Sequence, residues 1–470
     1  MLTTRSRSWW TRLVAESGFK ALADSCRDTK VLCLLRFVRL FAYGASFLIL
    51  VHYLSGLKFS DEQIGLFMTL TLLGDVVIGS LLTLITDQVG RRLILGIGAA
   101  LMAVSGLVFA VSSNYWLLLI ASVVGVISPS GNEIGPFRAI EESILAHLTV
   151  KEQRSDIFAW YTLCGTAGAA IGTLSSGWIV QGARKFLHNT TKAQRVVFVL
   201  YAVLGFVKLL LTFSLSSAVE LERPETRYEE ISFELEEEGL ITDDEEDDGD
   251  ARLSPSPKTT VLQRLRGLFP YISPVSRSIL YRLLLLFSLD SFASGIASPS
   301  WLTYFFTTVH SIQPWALGTL FLVTNLLATL SNLLALPIAR RIGPLRTMVF
   351  THLPSAFFLA MIPLPSATVS GHWFSMAFLA IRACMQSMDQ APRQAFLAAA
   401  VLPAERTAVL GLVNTVKTFA QAGGLGFAGL LASKQWWVLA FGGAGLMKAA
   451  YDFLLLWMFL GLPDREATTT

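Results

Sequence analysis

Apolar residues fall along this chain in long runs broken by short polar connections, and the runs have the length of a bilayer crossing. A membrane-spanning helix needs about 20 predominantly apolar residues. Stretches that qualify lie at roughly 34–54, 63–85, 93–113, 116–146, 155–181 and 195–217, then at 277–307, 313–339, 346–366, 373–401, 406–432 and 436–461. The pattern predicts an all-α membrane protein of twelve transmembrane helices, spans 1 to 12. It divides the chain into an N-terminal tail (1–33), a six-helix bundle (34–217), a central loop (218–276), a second six-helix bundle (277–461) and a C-terminal tail (462–470). Runs four, seven and ten are longer than a bilayer needs, which predicts tilt or protrusion.

Charges inside the runs carry the chemistry. A charge at the bilayer centre costs about 2.5–3.5 kcal/mol on insertion scales, so it faces a cavity or a partner. At about 1.5 Å per residue, Asp75 in span 2, Glu133 in span 4, Asp290 in span 7 and Asp389 in span 10 all fall near mid-membrane. In span 10, Arg382, Gln386, Asp389 and Arg393 follow one another at steps of 4, 3 and 4, one helical stripe on an apolar rod. That stripe predicts a water-facing wall. Span 4 holds SPSGNEIGPFRAIEES (128–143), where Pro136 removes a backbone donor and Gly131 and Gly135 weaken the helix, so a kink is expected.

Arg138 and Glu142, like Asp389 and Arg393, stand at i, i+4 and either neutralise one another or line a pathway; both readings stay open, and Glu141 is a further pathway candidate. Glu133 and Asp290 have no partner within their own helices and are expected to carry protons or touch substrate. Desolvation favours the neutral acid, which lets a carboxyl take up and release protons near neutral pH. Arg36 and Arg39, near the inner end of span 1, are expected to snorkel, with anion binding as the alternative. Lys417 reads as structural, and Lys448 with Asp452 reads as a ready i, i+4 salt bridge.

Composition excludes a soluble protein: 53% of the 470 residues are hydrophobic and 15% charged, against about 25% charged in soluble domains. A net charge of +3 hides a split. Glu220–Asp250 holds 16 acidic and 2 basic residues, and the remainder has 35 basic against 18 acidic. So acidic a segment is expected to be disordered. VLQRLRGLF (261–269) is basic and amphipathic and is expected to lie on the inner surface. The aromatic N-terminal tail is either a surface helix or disordered.

Basic residues also orient the chain. The N-terminal tail, the 2–3 connection (Arg91, Arg92) and the 8–9 connection (Arg340, Arg341, Arg346) fall on one side, which places that side and both termini in the cytoplasm. The 5–6 connection, with four basic residues, disagrees. It also carries the sequon Asn189-Thr190-Thr191, a glycosylation candidate that needs the outer or lumenal side. EEEGLI (Glu236–Ile241) resembles an acidic di-leucine signal for a sorting adaptor, favouring a vacuolar or endolysosomal membrane over the plasma membrane. The four cysteines, Cys26, Cys33, Cys164 and Cys384, place no pair in an outer loop, so no disulfide framework is expected.

The halves repeat. SLLTLITDQVGRRLIL (80–95) returns as NLLALPIARRIGPLRTM (332–348), and GPFRAIEES with KEQRS (135–155) returns as APRQAFLAA with PAERT (391–407), at nearly equal offset. GSLLTLITDQVGRRLI, with Gly79, Leu82, Asp87, Gly90, Arg91 and Arg92, resembles the loop 2–3 signature of the major facilitator superfamily. SPSGNEIGP, LDSFASG and MDQAPRQAF look like a microbial, fungal-like subgroup of it, which supplies no substrate. The resemblance implies two pseudo-symmetric six-helix bundles around a cavity lined by spans 1, 4, 7 and 10. It also implies a conformational latch at Asp87, Gly90, Arg91 and Arg92. Span 5 lacks the Gly-Pro pair of the superfamily's drug–proton antiporters, which argues against export.

The leading expectation is secondary active transport of a small solute by alternating access, coupled to protons. One alternative is a transport-inactive receptor or scaffold signalling through the acidic loop. Another is a metal-ion transporter, from the soft atoms of Cys384, Met385 and Met388 beside Asp389, although no His or Cys joins them at ligand spacing. An enzyme is not expected, since neither a nucleophile–base set nor a nucleotide-binding loop is found. No cofactor, bound metal or nucleic-acid partner is expected; the partners are solute, protons and the lipid bilayer.

Overall fold

A computed structural model of the chain describes residues 19–125, 127, 136–150, 153–220, 273–401 and 405–459; the side chains of some helical residues, Asp87 and Arg340 among them, lie outside that description. The expected spans are helices. Span 1 is Arg27–Gly56, span 2 Asp61–Val89, span 3 Arg91–Val111, span 5 Arg154–Leu187 and span 6 Thr190–Phe213. In the second half, span 8 is Pro314–Ile342, span 9 Pro344–Met361, span 11 Arg406–Ser433 and span 12 Trp437–Phe459. Among the described residues, eight segments are long and apolar enough to cross a membrane, span 7 being counted across its two helices.

The three overlong runs are each two helices. Span 4 is Tyr115–Val124 and Pro136–Leu148, span 7 is Pro274–Ile296 and Pro299–Thr308, and span 10 is Val369–Ser387 and Gln390–Ala400. In spans 7 and 10 the extra length goes into a break. In span 7, Pro299 cannot donate to the preceding turn, and Ser298 caps the new helix by accepting from the Trp301 amide at 3.4 Å. In span 4, Pro136 opens the second helix; the stretch before it, Glu133 included, lies outside the described residues. Unpaired backbone at membrane depth is tolerated only inside protein or along a cavity, so such breaks mark where a site sits.

Two boundaries shift. Span 1 starts at Arg27, ahead of residue 34, because buried Asp28 is tied down by Ser216, whose amide donates to it at 3.2 Å and whose hydroxyl donates as well. The described chain also continues through a short 3-10 turn, Ser217–Val219, to Glu220. The acidic run, VLQRLRGLF, the EEEGLI stretch and the aromatic N-terminal tail lie outside the described residues.

Packing repeats with a shift of six. Span 1 packs on spans 5 and 6, span 3 on span 6 and span 2 on span 4; span 7 packs on spans 11 and 12, span 9 on span 12 and span 8 on span 10. Gly90 and Gly343 turn the corner between spans 2 and 3 and between spans 8 and 9 at φ 103° and 85°, a region open to glycine. The halves meet where span 2 packs on span 11, span 5 on span 8 and the second helix of span 7 on span 1. Hydrogen bonds across that seam gather at the end away from Arg91 and Arg346. Tyr304 donates to Asp61 at 2.9 Å, Thr69 to the Ala422 carbonyl at 2.8 Å and Ser433 to Glu62 at 3.2 Å. Glycines allow the close approach, since a Cβ on Gly65 would fall 2.9 Å from the Gly426 carbonyl oxygen. At the basic end, Pro136–Leu148 and Gln390–Ala400 pack on their own halves. Among the described residues, the hydrogen bonds that join the halves lie toward the end away from the basic residues.

Candidate functional site

The second half buries a charge cluster assembled from four spans. Asp290 of span 7 is 4% exposed. Lys448 of span 12 donates to its Oδ1 at 2.6 Å, and Arg393 of span 10 to its Oδ2 at 3.0 Å. Arg393 also pairs with Asp389 one turn earlier, and Lys448 also donates to Ser294 at 2.7 Å. His352 of span 9 lies 2.9 Å from Asp452 of span 12 through Nδ1, and its Nε2 is 3.6 Å from Asp290. Aromatic rings cover the cluster: the Arg393 guanidinium stands 5.4 Å from the Phe287 ring centre and 5.7 Å from that of Tyr451. Buried ion pairs are costly to desolvate, and removing one partner leaves an uncompensated charge. The arrangement therefore ties spans 7, 9, 10 and 12 together only while its protonation state is kept.

The first half buries a smaller set. Arg39 of span 1, 1% exposed, donates to Glu141 of span 4 at 2.7 Å. Tyr161 of span 5 donates to the same Glu141 oxygen at 2.6 Å and accepts from Arg36 at 3.0 Å. The Arg36 guanidinium lies 4.3 Å from the Tyr161 ring centre. Close packing of spans 1 and 5 permits this: Gly168 and Gly172 leave room for the span 1 backbone at Phe37 and Phe41. Asp75 of span 2 is 3% exposed, and its Oδ1 has no hydrogen-bond partner among the described residues.

At the basic end of span 3, the amides of Arg91 and Arg92 donate to Glu220 at 2.7 and 3.0 Å, an acid placed on a helix N-terminus. The Arg91 side chain donates to Ser143 of span 4 at 2.9 Å, and that of Arg92 to the Phe213 carbonyl. The corner at Gly90 is thus clasped by the start of the central segment. At the other seam of that segment, the Ser273 amide donates to Glu405 at 3.1 Å.

Several expectations change. Asp290, unpartnered within span 7, has partners from spans 9, 10 and 12. Lys448 and Asp452 do not pair with each other: Lys448 turns to Asp290 and Asp452 to His352. A helical spacing allows an i, i+4 pair but does not choose it over stronger partners across the bundle. Arg36 and Arg39 are buried rather than snorkelled, because Glu141 and Tyr161 answer them. Arg138 and Glu142 do pair, at 2.7 Å and largely in the open. Arg382 is 7% exposed and Gln386 half-buried on the same helix as Asp389. Asn189 is exposed and caps span 6 by accepting from the Lys192 amide at 3.0 Å. Sequence reading missed His352 and Tyr161 and gave Lys448 the wrong partner. The available signal was each polar residue interrupting an apolar run.

Comparison with known proteins agrees with this architecture. The family model of the Major Facilitator Superfamily matches residues 32–388 and 283–470. The uncharacterized membrane protein YJR124C of Saccharomyces cerevisiae is 35% identical over 451 residues, covering 96% of this chain and 98% of that one. Among solved structures, a D-xylose–proton symporter superposes with a TM-score of 0.66 at 14% identity, covering 94% of this chain and 100% of that one. A peptide transporter, POT, in complex with sulfate gives 0.62 at 15%, covering 92% and 94%. Identities that low speak for the fold alone. The match of the family model across both halves, on a duplicated six-plus-six helical framework, means that the chain belongs to the Major Facilitator Superfamily.

Proposed function

We propose that this chain is a secondary active transporter of a small solute, working by alternating access and driven by protons. The observation that carries the reading is Asp290, a buried carboxylate shared by Lys448 and Arg393 from two other spans. Protonating it releases two cations at once and loosens the tie among spans 7, 10 and 12, so a proton changes how the second half holds together. Hydrogen bonds between the halves gathered toward one end fit one state of a rocking pair of bundles. With the basic end cytoplasmic, that state faces inward. Glu133 and Asp75 in the first half and Asp389 in the second are further acids for the pathway, and Arg138, Arg382, Gln386 and Arg393 are its polar lining. The solute and proton partners of the D-xylose and peptide transporters named above belong to those proteins; only the mode of transport is carried over. The EEEGLI stretch favours a vacuolar or endolysosomal membrane over the plasma membrane.

Purified full-length protein in proteoliposomes tests the coupling. An inward pH gradient is expected to drive solute accumulation that a protonophore collapses. Accumulation unaffected by the gradient contradicts proton coupling.

A further inference from the structure

We infer that the solute is an anion of the carboxylate or phosphate class, held in the second half by Lys417 and Arg382 beside the Asp290 cluster. The inference rests on the transporter reading above and adds the sign of the cargo.

A count of charges comes first. Spans 7, 9, 10, 11 and 12 contribute the cations Arg393, Lys417 and Lys448, the acids Asp290, Asp389 and Asp452, and His352, with Tyr451 at the edge, and the buried cation Arg382 lies within electrostatic reach of Asp290, His352 and Lys448. With every acid ionised and His352 neutral, one positive charge is left over. Protonating an acid or His352 enlarges that surplus. The cluster is therefore positive in every protonation state of its acids.

The surplus has an address. Ion pairs consume Arg393 and Lys448. Among the described residues, Arg382 and Lys417 have no carboxylate within ion-pair distance, and the Nε of buried Arg382 has no hydrogen-bond partner. A cation left buried without a partner is expensive, and inside a membrane it marks a substrate or ion path. Lys417 is half-buried on span 11, about one turn below Ala422, whose carbonyl accepts from Thr69 of the other half. Its Nζ lies 5.3 Å from the centre of the Phe287 ring, which the Arg393 guanidinium also approaches to 5.4 Å. Two cations crowd one ring, and only one of them is answered by acids. An anion seated there relieves the repulsion and completes the balance of charge.

Coupling follows from the same count. A proton taken up by Asp290 or Asp389 frees part of Lys448 or Arg393 and adds to the surplus, so proton and anion bind cooperatively and anion affinity rises as pH falls.

The test uses the purified full-length protein, with thermal stabilisation in detergent and flux in proteoliposomes at matched ionic strength. The probes are citrate, succinate, lactate and inorganic phosphate as anions, glucose and uridine as neutral solutes, and choline as a cation. A cellular metabolite extract, split by anion exchange into retained and unretained fractions, covers solutes outside the panel. An anion or the retained fraction is expected to stabilise the protein and to move with protons, more strongly at acid than at alkaline pH. Lys417→Gln is expected to weaken that response about 10- to 100-fold, the loss of one charge-assisted contact, and Lys417→Arg to keep it. Arg382→Gln gives a second, independent readout. Stabilisation and flux from neutral solutes, choline or the unretained fraction alone overturns the anion assignment and leaves the transporter reading standing. An anion response indifferent to both Lys417→Gln and Arg382→Gln overturns the site. Folded protein that responds to no class and neither fraction sinks the transporter reading and this inference with it.

Discussion

In the first half, one carboxylate, Glu141, answers Arg39 and Tyr161; in the second, Asp290 answers Lys448 and Arg393 and stands near His352. The helices that carry these groups pack in the same order in both halves. Layout was kept after duplication while the buried charges diverged. Small residues, apolar faces and the glycine corners at Gly90 and Gly343 specify the layout and tolerate change at single polar positions. The charges are not interchangeable in that way, because each needs a partner on another helix. On the proposed mechanism, the second half holds the groups whose protonation would reset helix contacts, and the Arg39–Glu141–Tyr161 set of the first half serves as frame.

Breaking the larger cluster is expected to have the largest effect. Asp290→Ala strands Lys448 and leaves Arg393 only Asp389, so it should cost about 3–5 kcal/mol of stability, read by denaturant unfolding in detergent, and abolish proton-driven flux. Asp290→Asn with Lys448→Met removes both charges together and should recover most of that stability without recovering coupling. Glu141→Gln in the first half keeps one acceptor for Arg39, and a loss of about 1.5–3 kcal/mol is expected. If it proves worse than Asp290→Ala, the division of labour between the halves is wrong.

The glycine corners sharpen the comparison at smaller scale. Gly90→Ala and Gly343→Ala should each cost about 1–3 kcal/mol, because positive φ with extended ψ is a conformation nearly confined to glycine. The first should cost more, because its new Cβ would stand 3.3 Å from the Glu220 carboxylate, whereas nothing lies within 4 Å at Gly343. Equal melting losses would mean that the Glu220 clasp is idle. Arg138→Ala breaks an exposed pair and should change stability by about 0–1 kcal/mol, less in high salt.

Much of the frame was legible in the sequence because period and length are local properties. The spans, the repeat and the three overlong runs could all be read, although Pro299 made the excess in span 7 a break rather than tilt alone. The site was legible only as a set of polar interruptions. Which acid meets which base depends on how helices far apart in sequence face one another. Lys448 and Asp452 show this: their spacing suggested mutual pairing, and the fold sends each to another helix. Arg39 shows it from the other side, since its place near a helix end suggested snorkelling until Glu141, 102 residues away, supplied a buried partner.

The most direct test of the central claim is the distance between the two halves at the basic end as a function of pH. Spin labels at exposed His147 and Arg346, in a chain whose four cysteines are replaced, report it in proteoliposomes without knowledge of the cargo. The account predicts that acidification shifts the distance distribution in the otherwise native chain and leaves it unmoved in Asp290→Asn/Lys448→Met. A shift of the same size in both would contradict it.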